Sequence, residues 1–234
     1  MNAPASTVQA ADVPAAQMIP LTGLRGAIAR NMGQGWQIPR VLHSVEVDVS
    51  RCEGLRRDLA AAGDKVSLTV LVLRALALTL REHPRLNALM RDKAVELMPE
   101  INIGVAVSLD DGLMVPVIRN TDRLALPALS DALRQVASGA RAGALGAGYY
   151  QRGTFTVTNL GTTAIDSFSP IINPPQVAIL GVTRVLDKPV ARNGEVVIAP
   201  MMGLHLVFDH RAVDGYPAAL FLGDLARRIE SADL

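Results

Sequence analysis

Residues 208–217 read FDHRAVDGYP, and what lies on either side of them decides the fold. Upstream, MMGLHLVFDH (201–210) has the apolar content of a buried strand. Downstream, from about Pro217 to Ser231, the pattern is helical, and a proline suits a first helical turn. His210 therefore stands where a strand gives way to a helix, with Asp209 and Arg211 beside it and Asp214 four residues on. One reading is structural: Asp214 or Gly215 opens the helix and His210 merely ends the strand. The other is chemical: a partly buried histidine held by nearby carboxylates is a general base suited to neutral pH.

Working outward from this junction, GTFTVTNLG (153–161), QVAILGVTRV (176–185) and GEVVIAP (194–200) all read as strands. VLHSVEVDVS (41–50) alternates about Val45, Val47 and Val49 like a half-buried strand. INIGVAVSLDDGLMVPVI (101–118) reads as two strands joined at Asp110, Asp111 and Gly112. Helical spacing appears at Leu24, Ile28 and Met32, with Gly33 and Gly35 ending the pattern. Ser50 and Glu53 form a capping box ahead of Leu55 and Leu59, Ser67 caps the apolar run LTVLVLRALALTL (68–80), and a polar helix runs from about Pro127 to Ala142. Strands and helices mix without a regular alternation, which predicts an α+β fold with a mixed, largely antiparallel sheet flanked by helices.

Composition narrows the function. The chain has 234 residues, and 23 Lys and Arg balance 22 Asp and Glu, so no global field recruits nucleic acid or an anionic membrane. Half the residues are apolar and the mean hydropathy is +0.27, a composition that suits surface buried between subunits. The longest apolar run is too short to span a bilayer and carries Arg74 in its middle. A single cysteine, Cys52, excludes an intrachain disulfide and fits the cytoplasm; it falls in a first helical turn, where packing is the default role. Residues 1–19 have the composition of an Ala/Pro-rich arm or linker, not of a secretory signal, leaving 20–234 as one domain.

Other candidate groups are sparse. Thr154, Thr156 and Thr158 alternate onto one face of a strand; that face is a solvent-side threonine ladder or, at the Thr158 end, part of a site beside the NLG turn. Asn173, Pro174 and Pro175 stiffen the approach to the next strand. Asp92-Lys93-Ala94 is similar to a lipoylated-lysine motif but lacks its flanking sequence, and Lys93 reads as an ordinary hairpin lysine. His43, His83, His205 and His210 show no zinc-ligand spacing, and His83 and His205 default to structural roles.

Together, LTGLRGAIARNM, VEVDVS, HPRLNALM, INIGVAVSLDDGLMVPVIRN, GTFTVTNLG, DSFSPIINPPQVAILGV and FDHRAVDG resemble, in order, the catalytic domain of the dihydrolipoyl acyltransferases. These are the core components of 2-oxoacid dehydrogenase complexes and share their fold with chloramphenicol acetyltransferase. The likeness runs from about residue 20 to 231. It implies a trimeric chloramphenicol acetyltransferase-like fold and transfer of an acyl group, acetyl by general likeness, between dihydrolipoamide and coenzyme A, without a metal. It assigns His210 as the base, Thr158 as the hydroxyl donor to the oxyanion, and Asn173 as a supporting residue beside the channel. Asp214 would brace the active-site loop through an ion pair with Arg25 or, second, Arg30. The implied partners are two further copies forming a homotrimer, by analogy a larger cubic cage, and a lipoyl-bearing domain or dehydrogenase subunits supplying dihydrolipoamide in trans.

The sequence departs from this family at Val207, where a serine is frequent; about twenty linker-like residues precede the core, as in a core fragment or in a free-standing protein that receives the lipoyl arm in trans, and Leu234 is the one candidate for a C-terminal knob. Two other readings follow: an acyl-CoA-dependent enzyme with a different acceptor, and a non-catalytic oligomeric scaffold.

Overall fold

The computed structural model describes residues 16–109 and 112–234. Most of the expected arm, and the Asp110–Asp111 turn, lie outside the described residues. The elements in chain order are α1 (Gly23–Trp36), β1 (Arg40–Asp48), α2 (Ser50–Ala61), α3 (Leu68–Glu82), β2 (Ala88–Arg91), β3 (Ala94–Leu97), β4 (Ile103–Val105), β5 (Val107–Leu109), β6 (Gly112–Met114), β7 (Val117–Ile118), α4 (Leu126–Arg141), β8 (Phe155–Asn159), β9 (Ala178–Arg192), β10 (Glu195–Asp209) and α5 (Gly215–Ser231).

Six strands form one sheet in the order β1-β10-β9-β8-β4-β7. β10 is antiparallel to both β1 and β9, β8 is parallel to β9 and β4, and β7 closes the edge antiparallel to β4. This is the mixed α+β architecture that the sequence predicts. β2–β3 and β5–β6 make separate two-stranded ribbons, and Asp92 and Lys93 form the turn of the first. The core lies between the sheet and the helices, where Leu71 and Leu76 of α3, Phe155, Phe208 and Phe221 of α5 are fully buried. Burying side chains of this size contributes about 1.5–3 kcal/mol each.

α3 begins as expected: the Ser67 hydroxyl accepts from Val70 N at 3.3 Å. Arg74, inside the apolar run, reaches out to donate to the Asp122 carbonyl at 2.7 Å. Among the described residues no helix is long and apolar enough to cross a membrane.

Four local expectations need correction. Gly33 and Gly35 do not end α1, which continues to Trp36. A Cβ on Gly35 would stand 2.4 Å from the Ile172 carbonyl oxygen and 2.8 Å from the Ile171 side chain, so the glycine serves close approach of the helix to a loop. Gly35→Ala is expected to cost about 1–3 kcal/mol by overpacking, read as a fall in the denaturation midpoint. Second, Ser50 and Glu53 form no capping box: Ser50 is already helical, its N–H is held by Asp48 Oδ1 at 2.9 Å, and Glu53 pairs with Arg56. Third, residues 101–118 form four short strands, because β4 and β7 join the main sheet while β5 and β6 leave it as a ribbon.

Fourth, the two segments on either side of Pro200 are one strand. β1 pairs with β10 only as far as Met201, so Pro200, with no N–H to donate, lies where β10 has become an edge. Cys52 is buried as packing requires, with its thiol donating to the Ile229 carbonyl at 3.1 Å. Burial first, and the Glu53 carboxylate second, push its pKa up to about 11, which leaves no nucleophilic thiolate at neutral pH.

Candidate active site

Thr154, just ahead of β8, and Thr156 and Thr158 within it alternate onto one face, but that face is not the solvent side. Thr154 and Thr156 are buried. Thr154 Oγ1 accepts from Asn102 N at 3.0 Å, and Thr156 Oγ1 donates to Gln176 Oε1 at 2.6 Å. Thr158 is half-buried, and its hydroxyl has no hydrogen-bond partner among the described residues. The turn after it is fixed by Asn159, whose side chain accepts from Gly161 N at 2.7 Å and donates to Thr69 at 2.9 Å.

Thr158 opens onto a cavity of about 240 Å³ whose wall is mostly apolar. Ile28 and Met32 of α1, Leu113 of β6, and Phe168 and Ile171 of the loop before β9 contribute to it. The apolar stripe of α1 therefore packs over the β5–β6 ribbon and this cavity, not into the main core. Asn173 lines the same cavity and accepts through Oδ1 from Asn31 Nδ2 at 2.9 Å. Thus two of the residues singled out in the sequence, Thr158 and Asn173, are brought together; Asn31, not singled out within LTGLRGAIARNM, joins them.

His210 lies elsewhere. It follows directly on β10, and its backbone N–H donates to the Pro39 carbonyl at 2.9 Å, tying it to the chain ahead of β1. Its ring centre is 6.0 Å from that of Phe208. Contrary to expectation His210 is exposed, and neither carboxylate of the motif hydrogen-bonds to it. Asp209, fully buried, is engaged by Arg211, which donates Nε and Nη2 to it at 3.0 and 2.7 Å. These bonds raise the Arg211 pKa. Asp214 occupies the N-cap position of α5, exposed and without a side-chain cap hydrogen bond. Among the described residues the Asp214 carboxylate forms no ion pair within its own chain, where the resemblance implies one with Arg25 or Arg30.

The other histidines are built into the structure. Ser44 Oγ and His205 Nδ1 are 2.8 Å apart within the sheet, and burial holds the His205 pKa down. His83, at the end of α3, pairs with Asp224 at 2.7 Å.

Strand register gives the spacing of the two chemical groups. Thr158 pairs with Gly181 of β9, and Gly181 pairs with His205 of β10, five residues short of His210. With strands about 4.8 Å apart and a rise of about 3.3 Å per residue, Thr158 and His210 stand roughly 15–20 Å from each other. Within one chain the two groups are too far apart for His210 to hydrogen-bond to Thr158 directly.

The sequence pattern of the family described as 2-oxoacid dehydrogenases acyltransferase (catalytic domain) matches residues 13–234. The chain belongs to this family. The dihydrolipoyllysine-residue acetyltransferase component of the acetoin cleaving system of Bacillus subtilis (strain 168) is 37% identical over 221 residues, which cover 92% of this chain and 56% of that protein. The chain thus spans about half the length of the curated relatives it matches. A solved structure of the Azotobacter vinelandii dihydrolipoamide acetyltransferase, reported for the roles of a serine, a histidine and an asparagine in its catalytic mechanism, is 33% identical with a TM-score of 0.89, over 98% of this chain and 97% of that one. Chloramphenicol acetyltransferase, 16% identical with a TM-score of 0.56 over 86% of this chain and 94% of that one, shares the fold.

Proposed function

We propose that this acyltransferase domain moves an acyl group, acetyl first, between dihydrolipoamide and coenzyme A, at a site completed by a second copy of the chain. One observation carries the reading. The serine, histidine and asparagine studied in the Azotobacter enzyme are separated by 52 and then four positions. Thr158, His210 and Asp214 have the same spacing. The separation of Thr158 from His210 within one chain supports the assembly: a neighbouring copy brings its His210 to the cavity of the first, and a cyclic trimer repeats the pairing three times.

The chemistry follows from the groups. A thiol of pKa about 8.5 is mostly protonated at neutral pH, and the thiolate is the nucleophile. His210 takes the proton from the attacking sulfur as the new C–S bond forms at the thioester carbonyl. When the tetrahedral intermediate collapses, the original C–S bond breaks and the departing sulfur recovers the proton from His210. Thr158, whose hydroxyl has no protein partner among the described residues, donates to the oxygen that carries the charge between these steps. Cys52 takes no part, since its thiol is buried and protonated.

Asp214 supports the loop from the N-terminal end of α5, where a carboxylate is favoured by the helix dipole. Asp214→Ala is expected to lower the melting temperature and kcat together, and wild-type values for both would remove it from the site. The proposed partners are two further copies and a lipoyl-bearing domain arriving in trans, in the cytoplasm. A solved cubic core of the pyruvate dehydrogenase multienzyme complex, similar in fold, supports a cage of such trimers as the next level of assembly.

The test is thiol release from acetyl-, succinyl- and isobutyryl-CoA by the purified protein, with and without dihydrolipoamide. Release that requires dihydrolipoamide is the expected result. Release only with another acceptor, or none with any of the three, would refute the reading.

A further inference from the structure

The hydrogen bond between Asn31 and Asn173 has a consequence for the cavity wall. A carboxamide carries one acceptor oxygen and one donor NH₂ group, and its terminal torsion has two roughly equivalent orientations. Asn31 Nδ2 occupies the Asn173 oxygen at 2.9 Å. That leaves Asn173 Nδ2, which has no protein partner among the described residues, as the atom this side chain can offer a ligand. Both asparagines line the Thr158 cavity. Of the other polar residues there, Thr156 is already committed to Gln176. Beside what remains of the Asn31 carboxamide, the wall therefore carries the Thr158 hydroxyl and the Asn173 amide as donors without protein partners among the described residues, set among apolar side chains, the composition of a site that orients a polar atom of a ligand.

We propose that Asn31 is a positioning residue for the transfer reaction. By holding the Asn173 carboxamide in one orientation, it keeps an N–H directed at the substrate as a second donor, beside Thr158, to the oxygen of the tetrahedral intermediate. This inference rests on the acyl-transfer reading. α1 makes the arrangement possible: Ile28, Asn31 and Met32 lie on one helical face over the cavity, and the close approach at Gly35 fixes that helix against the loop carrying Asn173. Released from Asn31, the amide turns freely, and in its other orientation it presents an oxygen to a developing negative charge.

A double-mutant cycle tests this, with kcat and KM measured in dihydrolipoamide-dependent thiol release and folding checked by melting. Asn31→Leu keeps the bulk and the helix while removing the donor. It is expected to lower kcat about tenfold, part of the 10²–10³ that a lost oxyanion donor costs, with KM nearly unchanged. Asn173→Ala should lower kcat at least as far, and the double variant should be no slower than Asn173→Ala alone, because Asn31 acts through Asn173. Asn31→Gln, which restores an amide, should recover part of the loss, as a packing role would not require. Asn31→Ala replaces Asn31→Leu if the latter does not fold. Wild-type kcat in Asn31→Leu, or losses that multiply in the double variant, would overturn the proposal. A wild-type protein with no transfer to dihydrolipoamide would instead overturn the functional reading, and this inference with it.

Discussion

Replacing His210 with alanine is expected to lower CoA-dependent acyl transfer by about 10²–10⁴-fold, the usual contribution of a positioned general base. The side chain is exposed in the single chain, where it meets the core only through the tilted ring contact with Phe208, so the melting temperature should stay near that of the wild type. The residual rate carries a further signature. Without the base, the reaction depends on the thiolate already present in solution. The rate of His210→Ala should therefore climb about tenfold per pH unit up to pH 8.5 or so, while the fraction of thiolate rises. An unchanged rate at neutral pH would remove His210 from the chemistry.

Thr158→Val is the second large effect. Valine keeps the branched shape on β8 and deletes only the hydroxyl, and that hydroxyl has no protein partner to lose among the described residues. Stability should be unaffected, while kcat falls by about 10²–10³, the cost of an oxyanion donor. The two neighbouring threonines make the contrast physical: Thr154 and Thr156 spend their hydroxyls on Asn102 and Gln176, so they act as structural groups although they alternate onto the same face as Thr158. Full activity in Thr158→Val would mean that the oxyanion is held elsewhere.

Much of this arrangement is legible in the sequence because it depends on local patterns. The apolar strand before His210 and the helix after Asp214 are fixed by periodicity, and the Ser67 cap and the long α3 follow from a hydroxyl ahead of an apolar run. The mixed sheet follows from the irregular order of strands and helices. What is not legible depends on distance in space. Nothing in GAIARNMGQG signals that Gly35 lies against the Ile172 carbonyl, so its glycines read as a helix stop. Nothing around Pro200 says that β1 ends one residue short of it, so one strand reads as two.

The site divides in the same way. His210, Thr158 and Asn173 stand out by position in their motifs, and the structure brings Thr158 and Asn173 to one cavity. The expectation that nearby carboxylates hold His210 fails because strand geometry and Arg211 claim Asp209, while Asp214 stands exposed at the N-terminal end of α5. Within LTGLRGAIARNM nothing singles out Asn31, since an asparagine beside an amphipathic stripe looks like an interruption of it. Only the 2.9 Å contact with Asn173 singles it out.

The central claim is that one transfer site is assembled from two copies of the chain. Mixing subunits tests it most directly: His210→Ala and Thr158→Val proteins, each nearly inactive, are unfolded together, refolded in equal amounts, and assayed for dihydrolipoamide-dependent thiol release. If each site takes its histidine from one copy and its hydroxyl from the next, random trimers regain about one quarter of the wild-type sites, and activity rises well above that of either variant alone. A mixture no more active than the average of the two variants would contradict a shared site.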